Sequence, residues 1–310
     1  MADRKLNKAC QIRDKVLGRS VFLRGVIEFS NVCVRNCLYC GMRASNRDLR
    51  RYQMDAGSLV AAAQEIRADG LGIAMIQGGD DLAYDTGELA RAVSEVRRLG
   101  LTVLLCIGDR PLQHYELFRA AGAEQAIVKF ETSNAELYKQ MRPHNSLEDR
   151  LELIRGLAAM GYSVSSGCIL GLPGSTTSDS IRDLELVKEL PLFAASVSPF
   201  IPGPSTPLSG YASPPLDSVL DFIAGMRLEN PDLLIPAVSA LNALATNEGR
   251  KTLGLALGLQ AGANVVTVNY TPNDARGDYI IYRTARSLVS LDMAIDAART
   301  AGLQLSRPLS

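Results

Sequence analysis

The chain alternates between short apolar runs rich in β-branched residues and longer stretches whose apolar positions recur every three or four residues. The short runs centre near Val26, Ile73, Val103, Ile127, Val164, Val197, Leu234 and Val265, and a helical pattern follows each. In the second unit Leu89, Val93 and Val96 form a stripe, with Thr86 as N-cap and Gly100 beyond the end. In the fourth, Ser146 and Asp149 have the spacing of a capping box. Leu147, Leu151, Ile154 and Leu157 then face a core, and Gly161 closes the helix. Thr176 to Leu190, Leu216 to Leu228, Asn247 to Gly262 and Leu288 to Ala301 read as later helices. Residues 1–20 carry Leu6, Ile12, Val16 and Leu17 on one face and predict a helix packed outside the first strand. The run Ser198-Pro-Phe-Ile-Pro-Gly-Pro-Ser-Thr-Pro207 has little freedom to be helical and reads as a rigid loop over one barrel mouth.

Eight strands alternating with helices predict an α/β chain forming a complete (β/α)8 TIM-type barrel, with residues 1–310 as a single domain. An open doubly wound sheet is the alternative, and would ordinarily bring fewer units or a second domain. The 310 residues are 47% hydrophobic, enough for one large core. Formal net charge is zero and no basic stripe is present, which argues against a nucleic-acid partner. No apolar stretch has the length of a membrane span, and the charged N-terminal segment lacks a secretory core, so no membrane partner and a cytoplasmic location are expected. Two histidines, His114 and His144, exclude a multi-histidine metal site and leave little room for a Ser-His-Asp triad.

Six cysteines in this setting read as reduced. Three of them, Cys33, Cys37 and Cys40, follow the first strand in the spacing Cys-x3-Cys-x2-Cys. Thiolates are soft ligands that suit iron–sulfur clusters or zinc. A structural zinc site closes with four ligands, and no fourth cysteine or histidine lies nearby. Three cysteines hold three irons of a [4Fe–4S] cube and leave the fourth open for a small molecule. A zinc knuckle or a reactive thiol cluster is the competing reading. Polar and glycine residues also gather where the other strands end, where barrel enzymes keep their working groups. They include Gln77-Gly78-Gly79-Asp80-Asp81, Cys106 to Asp109, Lys129 with Glu131, Gly167 to Gly174, Val238-Ser239 and Asn269. No Gly-Lys-Ser/Thr follows Gly174, which excludes a phosphate-binding P-loop there.

The cysteine spacing, with Tyr39 before the third cysteine, resembles the radical S-adenosylmethionine (SAM) superfamily. Ile27-Glu-Phe-Ser-Asn-Val-Cys33, Asn36-Cys-Leu-Tyr-Cys-Gly41, Arg51-Tyr-Gln-Met54, Met141-Arg-Pro143, Gly171-Leu-Pro-Gly174 and Ile235-Pro-Ala237 narrow the resemblance. They point to the biotin synthase-like group that contains the [FeFe]-hydrogenase maturase HydE and the methylornithine synthase PylB. The resemblance implies a [4Fe–4S] cluster on Cys33, Cys37 and Cys40, with SAM chelating the open iron. It implies SAM contacts at Tyr39, Gln77, Gly78, Gly79, Asp80, Lys129, Glu131, Arg150, Gly171 and Leu172. Gly78 and Gly79 would let backbone approach the methionyl part, Asp80 and Glu131 would accept hydrogen bonds, and Lys129 and Arg150 would pair with its carboxylate. A small amino-acid-type substrate would use Arg24, Asp81, Asp109, Ser239, Asn269 and Asp274. No catalytic side chain is assigned. An external electron donor of flavodoxin or ferredoxin type is implied.

Departures from the group's pattern fall on cavity positions. Gln77-Gly-Gly-Asp80 replaces the group's usual Gln-Ser-Gly-Glu, and Lys129-Phe-Glu-Thr132 replaces Arg-His-Glu-Thr. Only Val238-Ser239 stands where a hydroxyl pair is usual, and the second cysteine pair of some maturases is missing. The expected activity is therefore radical SAM chemistry on a small substrate, with a hydrogenase maturase and a non-enzymatic iron–sulfur carrier as alternatives.

Overall fold

The computed structural model describes residues 2–250, 253–282 and 288–306. Helix α1 (Ala2–Leu17) leads into β1 (Ser20–Ser30), and then α2 (Ala56–Ala68), β2 (Ile73–Gly78), α3 (Thr86–Arg98), β3 (Thr102–Cys106), α4 (Leu112–Ala120) and β4 (Ala123–Ile127) alternate. Two helices follow, α5 (Ala135–Met141) and α6 (Leu147–Ala159), before β5 (Ser163–Leu170), α7 (Thr177–Glu189), β6 (Ala194–Pro199), α8 (Leu216–Glu229) and β7 (Pro236–Ala237). The chain continues through α9 (Ala240–Asn247), α10 (Gly254–Gln260), β8 (Val265–Asn269), α11 (Asn273–Arg276), α12 (Leu291–Thr300) and β9 (Gln304–Leu305).

The eight predicted strands form one parallel sheet in the order β6-β5-β4-β3-β2-β1-β8-β7, with β9 added beside the start of β1. Between β6 and β7 the ladder shrinks to one bridge. There the Ala195 amide donates to the Leu234 carbonyl at 3.0 Å and the Leu234 amide to Phe193 at 3.2 Å. Strand β7 is two residues long, and Pro236 has no amide to extend the ladder. The barrel is thus nearly closed, with its seam at β6/β7.

Period-two alternation on β1 decides what faces where. Ile27 and Phe29 are wholly buried among the surrounding helices with Leu59, Ile66 and Ile76, whereas Arg24, Val26 and Glu28 face the barrel interior. Val26, Met75 and Leu104 pack together on the inner face of the sheet. The predicted capping box forms at Ser146/Asp149, and a second, at Thr176/Asp179, starts α7.

Several predicted details are corrected. The N-cap of α3 is Asp85, whose carboxylate accepts from the Glu88 amide at 2.6 Å, and Thr86 is the first helical residue. The helix expected over Asn247 to Gly262 starts only at Gly254, as α10. Asn247 instead ends the preceding helix α9, and Gly249, with a left-handed φ of 67°, follows that end. Helix α12 starts at Leu291 behind a Ser290 cap rather than at Leu288. Helix α1 packs on α8 and α10 rather than on β1, with Lys5 paired to Asp221 at 2.7 Å and the Cys10 thiol donating to Gln260 at 2.8 Å. The proline-rich segment after β6 has neither helix nor strand beyond Pro199, and Phe200 and Ile201 turn inward at the mouth, as expected of a rigid loop. Among the described residues no helix is long and apolar enough to cross a membrane.

Candidate active site

Strand β1 ends at Ser30, and the cysteine loop begins there. Backbone bonds pin this loop: Cys40 N–H donates to Cys37 at 3.3 Å, Leu38 to Met141 at 2.9 Å, and Gly41 to Ile281 at 2.7 Å. From below, Arg51 donates to the carbonyls of Asn31, Met42 and Arg43 at 2.7 Å each and to Asn46 at 3.2 Å. Cys33, Cys37 and Cys40 all line a single cavity of about 370 Å³ that runs from the loop into the barrel. That volume is in the range of small-molecule sites.

Ionic groups crowd the mouth beside the thiols. Arg35 donates to Asp80 at 2.6 Å, and Lys129 lies 3.2 Å from Glu131. Asp109 receives Arg142 at 2.8 Å and is also paired with Arg150, whose Nε donates to the Lys129 carbonyl at 2.7 Å. Four cations thus face three carboxylates, which leaves this wall one positive charge in excess. Burial lowers the Arg150 pKa, the neighbouring acids and thiols pulling the other way. Glu131 has a left-handed φ of 64°, the one positive φ outside glycine among the described residues. Such a backbone costs about 1–3 kcal/mol and persists only where its surroundings fix it. Here its amide donates to Gly167 at 3.0 Å and its carbonyl accepts from Ile169 at 2.7 Å. The result turns the carboxylate between Lys129 and Arg142, the latter at 3.9 Å.

Most of the residues predicted to bind SAM meet on this wall: Tyr39, Gln77, Gly78, Gly79, Asp80, Lys129, Glu131 and Arg150 all line the cavity. Gln77 also donates to the Tyr279 hydroxyl at 3.1 Å, and Tyr39 accepts from Arg142 at 3.4 Å. The two glycines make room for protein: a Cβ on Gly78 would strike the Phe29 ring, and one on Gly79 would strike Val32 and Cys33. Gly171 and Leu172 are corrected. Neither lines the cavity; Leu172 is buried among Leu137, Met141 and Leu208, and Ile169 and Phe200 face the cavity instead.

Of the residues assigned to substrate, Arg24, Ser239 and Asn269 line the interior. Asp81, Asp109 and Asp274 do not. The Asp81 carboxylate is consumed by Ser30 at 2.6 Å and Gln53 at 2.7 Å, which tie the cysteine loop to β2. Asp109 is the counter-ion of two arginines, and Asp274 is exposed and accepts from Arg50 through its carbonyl. The sequence reading missed Glu28, Arg35 and Arg142 as wall residues. Glu28 accepts from Asn269 at 3.1 Å and Thr271 at 3.2 Å, and alternation along β1 could have shown that it faces inward with Arg24.

The thiols suit a cluster better than a single ion. Among the described residues no three His, Cys, Asp or Glu side chains converge as ligands for one metal. A cube takes one thiolate on each of three irons, so convergence on a point is not required. Burial pushes the thiols of Cys33, Cys37 and Cys40 up, so thiolates here need compensating positive charge. Iron supplies it, and the excess cation beside the loop suits the net negative charge of a thiolate-bound cube.

A profile of the radical SAM superfamily matches residues 27–187, which takes in the cysteine loop and β1 to α7. The chain is also 35% identical over 285 residues to the [FeFe] hydrogenase maturase subunit HydE of Thermotoga maritima, covering 90% of this chain and 80% of that one. This chain belongs to the radical SAM superfamily. Radical SAM enzymes carry a [4Fe–4S] cluster and SAM, act on small molecules and require a reductant. This radical SAM enzyme is also 28% identical to the 3-methylornithine synthase of Methanosarcina barkeri, over 87% of this chain and 75% of that one. Its fold matches the crystal structure of methylornithine synthase (PylB) with a TM-score of 0.86 at 25% identity, covering 99% of this chain and 89% of the other. The cysteine loop would hold the cluster, and the charged wall beside it would hold SAM.

Proposed function

We propose that this radical SAM enzyme acts on a small amino acid or amino-acid derivative held inside the barrel, beneath the cluster loop. The observation that carries the reading is Arg24. Its guanidinium faces the cavity, Nε donates to Thr267 at 2.9 Å, and among the described residues no carboxylate is ion-paired with it. Burial pushes its pKa down to about 10, with Cys106 pulling the other way. A substrate carboxylate would relieve that uncompensated charge. Glu28 stands four residues along the same inward face and suits an ammonium, with Ser239 and Asn269 as neutral partners.

When bound, the reduced cluster and SAM supply a 5′-deoxyadenosyl radical. Cys33, Cys37 and Cys40 hold the cluster. Lys129, Arg142 and Arg150 orient the methionyl carboxylate, while Glu131 and Asp80 accept from its ammonium or the ribose. Val26, Met75 and Ile127 give the cavity wall an apolar lining, and Phe200 and Ile201 narrow the mouth. The described barrel is one domain in this reading. A flavodoxin or ferredoxin type donor in the cytoplasm, where thiols stay reduced, serves as reductant.

The test is anaerobic incubation of reconstituted protein with dithionite, SAM and a panel of deuterated amino acids. Deuterium in 5′-deoxyadenosine identifies the hydrogen donor. Absence of any 5′-deoxyadenosine would return the chain to an iron–sulfur carrier. A second reading, a maturase for hydrogenase cofactor assembly, draws on the 35% identity to HydE. Rescue of hydrogenase activity in a strain lacking HydE would favour it.

A further inference from the structure

We propose that Arg51 is a positioning residue that locks the cluster loop at both ends and places a fixed positive charge behind the cluster. Arg51 does not line the cavity, so it has no route to SAM or substrate. Its side chain nevertheless spends four hydrogen bonds on loop carbonyls. One is Asn31, two residues before Cys33; the others are Met42, Arg43 and Asn46, just after Cys40. The three cysteines therefore sit on a segment whose entry and exit are held by one guanidinium. The segment that carries Arg51 is itself anchored to β1. Tyr52 N–H donates to the Asn31 side chain at 2.8 Å, Asn31 N–H to the Tyr52 carbonyl at 3.3 Å, and Met54 N–H to Phe29 at 2.7 Å.

The electrostatics point the same way. The guanidinium reaches the carbonyls of Asn31 and Met42, each two residues from a cluster cysteine, Cys33 and Cys40, at 2.7 Å. Among the described residues no carboxylate is ion-paired with Arg51, so no anion cancels its charge toward the thiols. A cation fixed near a cluster stabilises the reduced, more negative state and raises the reduction potential. Asp80 lines the cavity and is already paired with Arg35.

Two functions can be separated because they depend on different properties of the side chain. Lysine keeps the charge but has no planar fork to reach four carbonyls; methionine keeps only the apolar stem and loses both. The experiment reconstitutes wild type, Arg51→Lys and Arg51→Met anaerobically. It measures iron and sulfide per chain, the rate of iron loss to a chelator, and the cluster midpoint potential by EPR-monitored titration without SAM or substrate. Arg51→Lys is expected to lose iron several-fold faster than wild type while keeping its potential. Arg51→Met is expected to lose iron at least as fast and to show a lower potential. If Arg51→Met holds too little cluster to titrate, Arg51→Gln, neutral but still able to donate to loop carbonyls, takes its place in the potential comparison. Wild-type iron retention in both variants overturns the lock. A methionine potential equal to wild type, or a lysine potential lowered as far as that of methionine, overturns the charge role. None of these readouts depends on which substrate the enzyme uses, so their failure is distinct from failure of the amino-acid reading.

Discussion

Gly79→Ala tests how tightly the SAM wall and the cluster loop are built against each other. A Cβ on Gly79 would lie 2.8 Å from the Cβ of Cys33 and closer still to the Val32 carbonyl oxygen. Ordinary contact begins at 3.4 Å, so Cys33 alone must retreat by about 0.6 Å. It cannot do so freely. The Gly79 amide donates to Ser30 at 3.0 Å and the Val34 amide to Asp80 at 3.1 Å, which pin the glycine and the loop together. Overpacking of this kind costs about 1–3 kcal/mol. A Gly78→Ala variant is the control. Its Cβ would meet the edge of the Phe29 ring at 2.6 Å, on the side turned to the helices, and so should cost similar stability without moving a cysteine. The assay is iron and sulfide content after anaerobic reconstitution, with thermal melting and SAM affinity on each variant. Gly79→Ala should lose cluster and weaken SAM binding by about tenfold or more, since a misplacement approaching 1 Å is costly at a site of this kind. Gly78→Ala should melt lower with its cluster intact. Equal cluster loss in both variants, or none in either, would refute the reasoning.

Replacing Cys33, Cys37 or Cys40 by Ala should abolish the cluster's visible absorbance and SAM cleavage together, read by spectroscopy and 5′-deoxyadenosine release. Glu131→Gln should leave the cluster intact and weaken SAM binding by about 1–3 kcal/mol, from one charged hydrogen bond, measured by equilibrium binding. Asp183, 3% exposed, accepts from the Ser133 amide at 2.6 Å, and its pKa is raised by burial to about 6. Because the folded value lies above the unfolded one, its contribution is fully present below pH 4 and is lost as pH rises through about 6. The loss is of order 3 kcal/mol. Asp183→Asn should flatten that part of the stability–pH curve, checked by chemical denaturation at pH 4 and 7. Arg227 is wholly buried and donates to Gly262 at 3.1 Å, Pro231 at 2.8 Å and Asn264 at 3.2 Å. Arg227→Ala should lower stability by about 3–5 kcal/mol in denaturant unfolding, since it strands those acceptors.

The barrel was legible because apolar runs of strand length recur with helical stripes between them, and the cysteine loop because its spacing is local. Elements whose character depends on distant partners were not. Strand β7 shrinks to Pro236–Ala237, and its meeting with β6 comes down to one bridge at Leu234, while the break between α9 and α10 includes polar residues that also suit a helix surface. The same distinction runs through the site. Gln77, Lys129 and Glu131 sit at strand ends and were found by position. Asp81 and Asp109 also follow strands, yet they are consumed by Ser30 and Gln53 and by Arg142 and Arg150, partners up to several dozen residues away that only the folded chain brings near. Arg142 escaped notice because it ends α5, a helix the periodicity did not predict.

Arg24 lines the cavity two residues before Val26 on the inward face of β1, so the interior is a deep well. Arg24 lies further down that well than the thiols of the loop. On the proposed reading, whatever binds Arg24 must descend before SAM is seated above it and must wait for SAM's fragments to depart before rising. Steady-state kinetics should then be ordered, with 5′-deoxyadenosine released first, and random release would show that the seam between β6 and β7 opens as a second door.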